Sequence, residues 1–288
     1  MRVLVLGGAG QVARAVAAAV PPTHAVLVKT RAELDIADEA ELAAALSVGG
    51  VDWIVNGAAY TAVDLAEKEL DQARLVNDTA VGNLARAAAR TGCRLLHLST
   101  DFVFDGQSSR PYLPSDPTHP LSAYGATKLG GERQVLEHGR DAIILRTSWV
   151  YASTGRNFVL TMLRLMRERD EVRVVADQIG TPTWATGIAQ AIWGFIGADA
   201  APGIYHWTDL GVATWYDFAV AIQEEALTRG LLTRAVPVIP IATAAYPTPA
   251  QRPAFSVLNT ESARAAVPAL PRHWRHNLRM MLDELRAA

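Results

Sequence analysis

Residues 2–16 read "RVLVLGGAGQVARAV". An apolar run from Val3 to Leu6 meets a glycine-rich turn, and alanine-rich sequence with helical character comes next, predicting a helix over 11–19. The turn carries the spacing Gly7-x-x-Gly10-x-x-Ala13. Glycines at these points let the backbone turn tightly and approach a pyrophosphate, which then rests on the helix N-terminus where free amides and the dipole favour negative charge. Ala13 is small enough for the helix to pack closely on its strand. A plain strand-to-helix turn is the bland alternative. The position directly after a first strand favours a dinucleotide site, with Gly7, Gly10, Gln11 and Val12 as its first contacts.

The rest of the first 150 residues repeats the alternation. Short apolar runs, "AVLVK" (25–29), "DWIVNGA" (52–58), "RLLHLST" (94–100) and "AIILRTS" (142–148), are separated by helical stretches such as "EAELAAALSV" (39–48) and "AVGNLARAAARTG" (80–92). Continuous apolar strands with helices between them predict a doubly wound α/β domain, a parallel sheet covered on both faces. Ligands of such sheets lie at the carboxyl ends of the strands. We therefore read residues 1–150 as a dinucleotide-binding domain, to which later segments can return, and residues 151–288 as mainly a smaller substrate-binding lobe. Helical patterns in that lobe cover 157–169, 183–197, 214–229 and 273–286. "PVIPIATAAYPTPAQRP" (237–253) is expected to be a loop with little regular structure. Loops that long inside compact domains are commonly functional.

Bulk properties narrow the function. The chain has 288 residues, half of them hydrophobic, enough for a sizeable core. A formal net charge of -2 with acids and bases interspersed offers no basic stripe for nucleic acid and no polybasic segment for a membrane. The single cysteine, Cys93, has no partner for a disulfide and reads as a buried structural thiol. The N-terminus superficially copies a signal peptide, but glycines end its apolar run after Leu6 and Arg14 interrupts the alanine-rich stretch beyond them. No run approaches the ~18 apolar residues of a membrane span. The expectation is a cytoplasmic protein acting on a small molecule.

Cofactor choice is read at the end of the second strand, where an NAD enzyme usually has an acid for the ribose hydroxyls. Here stand Val28-Lys29-Thr30-Arg31. Two bases and no acid favour a 2′-phosphate, hence NADPH, with NADH as the second option. Asp35, followed by Ile36, is placed to accept from the adenine amino group. Ala58, Ala59 and Tyr60 supply the third strand's end, where small side chains let a cofactor lie flat. The fourth strand delivers Ser99, Thr100 and Asp101 to the same edge. The segment "SAYGATKLGGE" (122–132) comes after it and puts Tyr124 and Lys128 one helical turn apart. A phenol with an ordinary pKa of ~10 transfers protons poorly at neutral pH unless a cation stabilises its phenolate. Lys128 is spaced to do so while also holding the nicotinamide ribose.

With these residues in view, the chain resembles the extended short-chain dehydrogenase/reductases, built on the Rossmann fold, and among them the dTDP-4-dehydrorhamnose reductase family. The resemblance runs nearly end to end. Generic motifs carry part of it, "GGAGQVA" and "ELDIAD"; more specific ones are "VNGAAYTAVDLAE", "HLSTDFVFDG", "YGATKLGGE", "RTSWVY", "NFV", "VVADQIGTPT", "GIYHWTDLGVATWYDFA" and "YPTPAQRP". It implies NADPH-dependent reduction of a C4 ketone in dTDP-4-dehydro-β-L-rhamnose, the last step of dTDP-rhamnose synthesis. By the same resemblance, Thr100, Tyr124 and Lys128 form the catalytic triad. Val63, Asp101, Phe102, Trp149, Asn157 and Arg252 join Thr100 as substrate contacts. Trp149 could equally be core, and Arg252 could anchor its own proline-rich loop.

Three departures from the family pattern stand out. Phe102 replaces a more usual tyrosine, and Ala13 a commoner glycine. The first helix, "QVARAVAAAV", has no acid. Known members pair through a magnesium ion held by glutamates, one of them early in that helix, so a magnesium-bridged pair is not expected here; the oligomeric state stays open, with a homodimer among the options, and no metal ligands are assigned. A 4,6-dehydratase or 4-epimerase is a rival, but the dehydratase acid pair after the threonine is incomplete in Thr100-Asp101-Phe102. Other 4-keto nucleotide sugars, or a non-catalytic dinucleotide-binding subunit of the methionine adenosyltransferase type, are further alternatives.

Overall fold

Each of the five apolar runs forms a strand in the computed structural model, which describes residues 1–47 and 49–287. In chain order come β1 (Arg2–Leu6), α1 (Gln11–Ala18), β2 (Ala25–Lys29), α2 (Glu39–Ser47) and β3 (Trp53–Asn56). The short α3 (Val63–Ala66) and α4 (Leu70–Arg74) lead through a π-helical turn, Leu75–Thr79, into α5 (Ala80–Thr91). Next come β4 (Arg94–Thr100), α6 (Ala123–His138) and β5 (Ile143–Thr147). The stretch predicted as helix over 39–48 thus fills α2, and its last residue, Val48, lies outside the described residues.

The second half contains β6 (Val150–Tyr151), α7 (Phe158–Glu168), β7 (Val172–Val175), β8 (Ile179–Gly180), β9 (Thr183–Trp184) and α8 (Ala185–Gly197). It continues with β10 (Gly203–His206), β11 (Ala213–Thr214), α9 (Trp215–Thr228), β12 (Val238–Ile241), α10 (Glu261–Ala266) and α11 (Trp274–Ala287). Six strands pair in parallel in the order β10-β5-β4-β3-β1-β2. The chain steps outward from β1 to β2, then crosses back to β3, so the order reverses between β1 and β3 and opens a crevice at their carboxyl ends.

Both faces of the sheet are covered, which is why its strands read as unbroken apolar runs. Val3, Val5, Val55 and Leu96 face one core with Val16 of α1 and Ile188, Ile192 and Trp193 of α8. Leu4, Leu6, Ile54 and Leu95 face the other, with Leu42 of α2 and Leu84 of α5. Cys93 is buried there, its thiol donating to the Val51 carbonyl at 3.1 Å. The later segments return to this layer: β10 extends the sheet beside β5, and the Trp193 indole donates to Val16 O at 2.9 Å. A separate core, with Tyr151, Met162, Phe218 and Leu278, joins α7, α9 and α11. Among the described residues no helix is long and apolar enough to cross a membrane.

One expectation is corrected. The segment 237–253 is not an unstructured loop from its start: Val238–Ile241 forms β12, in register with β7 from Val238 opposite Val172 to Ile241 opposite Val175. Pro240 masked the strand in the sequence. It is tolerated because β12 pairs on one side only, so its missing N–H costs no ladder bond.

Helix α6 sits unusually close to the π-helical turn. A Cβ built on Gly131 would lie 2.1 Å from Asn77 O, and one on Gly130 would lie 2.4 Å from an Asp78 carboxylate oxygen. The paired glycines are therefore what lets α6 dock. Gly131→Ala is expected to lower folding stability by about 1–3 kcal/mol, the usual cost of overpacking, measured by urea unfolding.

Candidate active site

The phosphate turn comes first. Gly7 has φ +79°, and a Cβ there would lie 2.6 Å from Ala58 N, so the turn is closed to any other residue. Gly10 holds the N-cap of α1 with extended backbone and no side-chain cap. The first amides of α1 are thus left for a ligand's anion. Val12 packs its side chain toward the core, so only its amide faces the turn. Gly7, Gly10 and Arg31 line a cavity of about 280 Å³ together with Asp35, Ile36, Ala58, Ala59 and Tyr60. This glycine cradle, with uncapped amides at its base, fits a dinucleotide.

Two specificity candidates behave differently from expectation. Lys29 contributes its carbonyl, which accepts from Gly8 N at 2.9 Å. Arg31 is exposed and pairs with Asp35, Nε to Oδ2 at 3.0 Å. The Asp35 carboxylate also accepts from Ala37 N at 3.0 Å. That N–H, and then Arg31, hold it below the ordinary carboxylate range. The Asp35 oxygens are therefore already engaged.

At the end of β4 the side chains alternate. His97 and Ser99 turn toward α6, while Thr100 sits at the strand end beside Tyr124. Ser99, expected near the cofactor, instead donates to Glu132 in the buried layer beneath α6. The two-residue period of the strand dictates this, because Ser99 and Thr100 must face opposite sides. Thr100 Oγ1 donates to Asp101 Oδ1 at 3.0 Å and accepts from Phe102 N at 3.2 Å. The Phe102 ring meets that of Tyr124 edge-on, centroids 5.5 Å apart. A Cβ on Gly125 would lie 2.3 Å from Phe102 O, so the first turn of α6 rests directly on this segment.

The electrostatics also depart from expectation. Burial pushes the Tyr124 hydroxyl up to about 12, against the pull of the neighbouring Thr100 hydroxyl. Lys128 does not lower it: its ammonium is turned to Leu98 O at 2.7 Å, and burial brings Lys128 itself down to about 8. Tyr124 is therefore a firmly protonated phenol in this structure. Burial likewise raises Asp101 to about 6, opposed by the Ser256 and Thr100 hydroxyls.

The C-terminal lobe contributes a larger cavity of about 920 Å³, walled by Phe158, Gln178, Trp215, Tyr246 and Arg252. Neither Val63, at the start of α3, nor Trp149 is among the residues lining it. Trp149, at φ +46°, stacks on Trp215 at 3.4 Å and so backs the cavity wall. Arg252 lines the cavity and also anchors its own loop, pairing with Asp64 at 2.8 Å and 3.1 Å. Asn157 caps α7 through Leu160 N at 3.1 Å and donates to Gln11 Oε1 at 2.9 Å. It thereby links the phosphate turn to the lobe.

Sequence reasoning missed several members. Glu132 and Arg146 form a buried pair, with Nη2 to Oε2 at 2.6 Å and Nε to Oε1 at 2.8 Å. His97 and Asn56 lie under Lys128, and Gln178 accepts from the Trp215 indole at 3.1 Å. A polar residue inside an otherwise apolar strand, as in "RLLHLST", was the available signal for His97, and Arg146 within "AIILRTS" was the same kind of signal.

The RmlD substrate binding domain family matches residues 1–287. A dTDP-4-dehydrorhamnose reductase from Burkholderia thailandensis is 42% identical over 295 residues, covering 99% of each chain. The chain belongs to the dTDP-4-dehydrorhamnose reductase family. A solved family structure from Clostridium acetobutylicum superimposes with a TM-score of 0.93 at 35% identity, covering 99% of this chain and 100% of the other. Another, the dTDP-4-dehydrorhamnose reductase of Bacillus anthracis in complex with NADP, gives 0.92 at 33% identity, covering 98% and 99%.

Asp101 gives this family member a pH signature. Its folded-state pKa is raised to about 6, above the ~3.9 of an unfolded chain. Its contribution to stability is therefore complete below about pH 4 and is lost as pH rises through about 6. Thermal unfolding of wild type and Asp101→Asn across pH 4 to 7 is expected to show the variant gaining on wild type as pH rises.

Proposed function

We propose that the chain reduces the C4 ketone of dTDP-4-dehydro-β-L-rhamnose to dTDP-L-rhamnose with NADPH. End-to-end similarity to dTDP-4-dehydrorhamnose reductases supports the reaction, and the NADP complex of a relative supports the cofactor. The observation that carries the reading is the half-buried Tyr124 beside Thr100 and edge-on to Phe102, at the strand edge that holds the glycine cradle. Residues 1–150 then mainly bind the dinucleotide, and residues 151–288 mainly hold the sugar nucleotide. The protein works in the cytoplasm as a homodimer, without nucleic-acid or membrane partners. A magnesium bridge between copies is not part of this reading, since the first turn of α1 carries no acid to hold one.

NADPH, when bound, supplies the hydride to the C4 carbon. Gly7, Gly10 and the amides of Gln11 and Val12 hold the pyrophosphate, with Ile36, Ala58, Ala59 and Tyr60 shaping the pocket. Arg31, exposed and paired with Asp35, exchanges that partner for a 2′-phosphate, with Lys29 as a second base nearby. Tyr124 donates its proton to the oxygen developing negative charge at C4. An alkoxide is a far stronger base than a phenolate, so the transfer runs downhill even from a phenol raised to about 12. Lys128 then steadies the phenolate and holds the ribose. Thr100 stabilises the carbonyl oxygen by turning its hydroxyl from Asp101 to the substrate. Arg252 and the aromatic wall of Phe158 and Trp215 bind the nucleotide portion, backed by Trp149, with Val63, Asp101 and Phe102 bordering the sugar.

Tyr124→Phe is expected to lower NADPH oxidation with the dehydro-sugar nucleotide by at least ~10²-fold while still binding NADPH. Near-normal turnover would remove Tyr124 from the acid role. In Arg31→Ala the KM for NADPH should rise while that for NADH stays nearly constant. An unchanged ratio of the two constants would take Arg31 out of cofactor selection.

A further inference from the structure

Beneath the triad runs a buried polar chain that the reaction as described does not use. Asn56, at the end of β3, accepts from Ala58 N through Oδ1 at 3.1 Å. Its amide nitrogen therefore points the other way, to His97 Nδ1 at 3.0 Å. His97 is fully buried on β4, and its second nitrogen, Nε2, lies 3.4 Å from Lys128 Nζ. Lys128 also donates to Leu98 O at 2.7 Å.

The polarity of these contacts is fixed from one end. Turning the Asn56 amide over would set its NH₂ against the Ala58 N–H, two donors face to face. The amide nitrogen thus donates to Nδ1, which must accept. Burial, reinforced by the Lys128 charge, holds His97 well below its ordinary pKa, so the ring is neutral and carries one proton. That proton is on Nε2, aimed at Lys128. An N–H facing an ammonium opposes donor to donor, whereas facing a neutral amine it finds a lone pair.

We infer that Asn56 and His97 form a positioning relay that sets the protonation of Lys128, by presenting an N–H to its amine and turning its own donors toward Leu98 O and the cofactor side. Other groups around Lys128 do not reverse this. Tyr124 and Glu132 lie one turn away on either side of α6. Glu132 favours the ammonium, but its carboxylate is bound by Arg146 and Ser99. Burial by itself brings Lys128 down to about 8, and the N–H of His97 acts in the same direction. A Lys128 poised near neutrality can hold charge beside the phenolate and yield it as pH rises. The effect on turnover rests on Lys128 serving the reduction; the protonation state does not.

Nitrogen-15 NMR of the histidine rings in the protein without added cofactor separates the two. The His97 signals, assigned by their loss in His97→Gln, should show the Nε2–H tautomer and should shift with a midpoint near pH 8 as Lys128 loses its proton. Asn56→Asp replaces the donor by an acceptor, and is expected to move the ring proton to Nδ1 and raise that midpoint by at least one pH unit, a tenfold change. His97→Gln can accept from Asn56 and donate to Lys128, so the alkaline limb of its kcat/KM profile should stay within a few tenths of wild type, whereas that of Asn56→Asp moves up. An Nδ1–H tautomer in wild type, or an unmoved midpoint in Asn56→Asp, would overturn the relay. A confirmed tautomer with no alkaline limb in kcat/KM would instead remove Lys128 from the reaction and leave the relay standing.

Discussion

A buried ion pair between Glu132 of α6 and Arg146 of β5 fixes where the chemistry can occur. Their side chains are 1% and 3% exposed, and the guanidinium meets the carboxylate through two parallel contacts. Removing one partner of such a pair leaves an uncompensated buried charge and typically costs about 3–5 kcal/mol, so the two residues enforce each other's position. Ser99 adds a donor from β4, tying the helix to two adjacent strands. The glycines at 130 and 131 allow the opposite side of the helix to settle on the π-helical turn. Two turns before Glu132, Tyr124 is thereby held past the end of β4, against Phe102 and beside Thr100.

Burial then decides the protonation states. It raises Tyr124 and Asp101 and lowers Lys128 and His97, each toward its neutral form. A site tuned toward neutral groups differs from the picture of a lysine acidifying a tyrosine across one helical turn. Here the tyrosine keeps its proton until an oxygen basic enough to take it develops nearby. The glycine cradle at β1 and the cavity of the second lobe flank this point, and Gln11 with Asn157 links them.

Much of the fold was legible because a parallel sheet covered on both faces writes itself as repeated apolar runs, and the runs at 2–6, 25–29, 53–56, 94–100 and 143–147 became its first five strands. β10 was harder to see: "GIYH" is short, and its half-buried edge position needs little apolar sequence. β12 was hidden by Pro240. In the site, Thr100, Tyr124 and Lys128 were visible as residue types at a spacing, since strand ends and helical turns fix local geometry. The choice of Glu132 as the partner of Ser99 and the pairing of Arg252 with Asp64 depend on contacts between segments distant in sequence, which spacing along the chain does not encode.

Product identification tests the proposed reduction most directly. Purified protein is incubated with NADPH and dTDP-4-dehydro-L-rhamnose, and the sugar nucleotide is identified by NMR. One NADPH should be consumed for each dTDP-L-rhamnose formed. Intact keto sugar with no NADPH consumed would contradict the assignment.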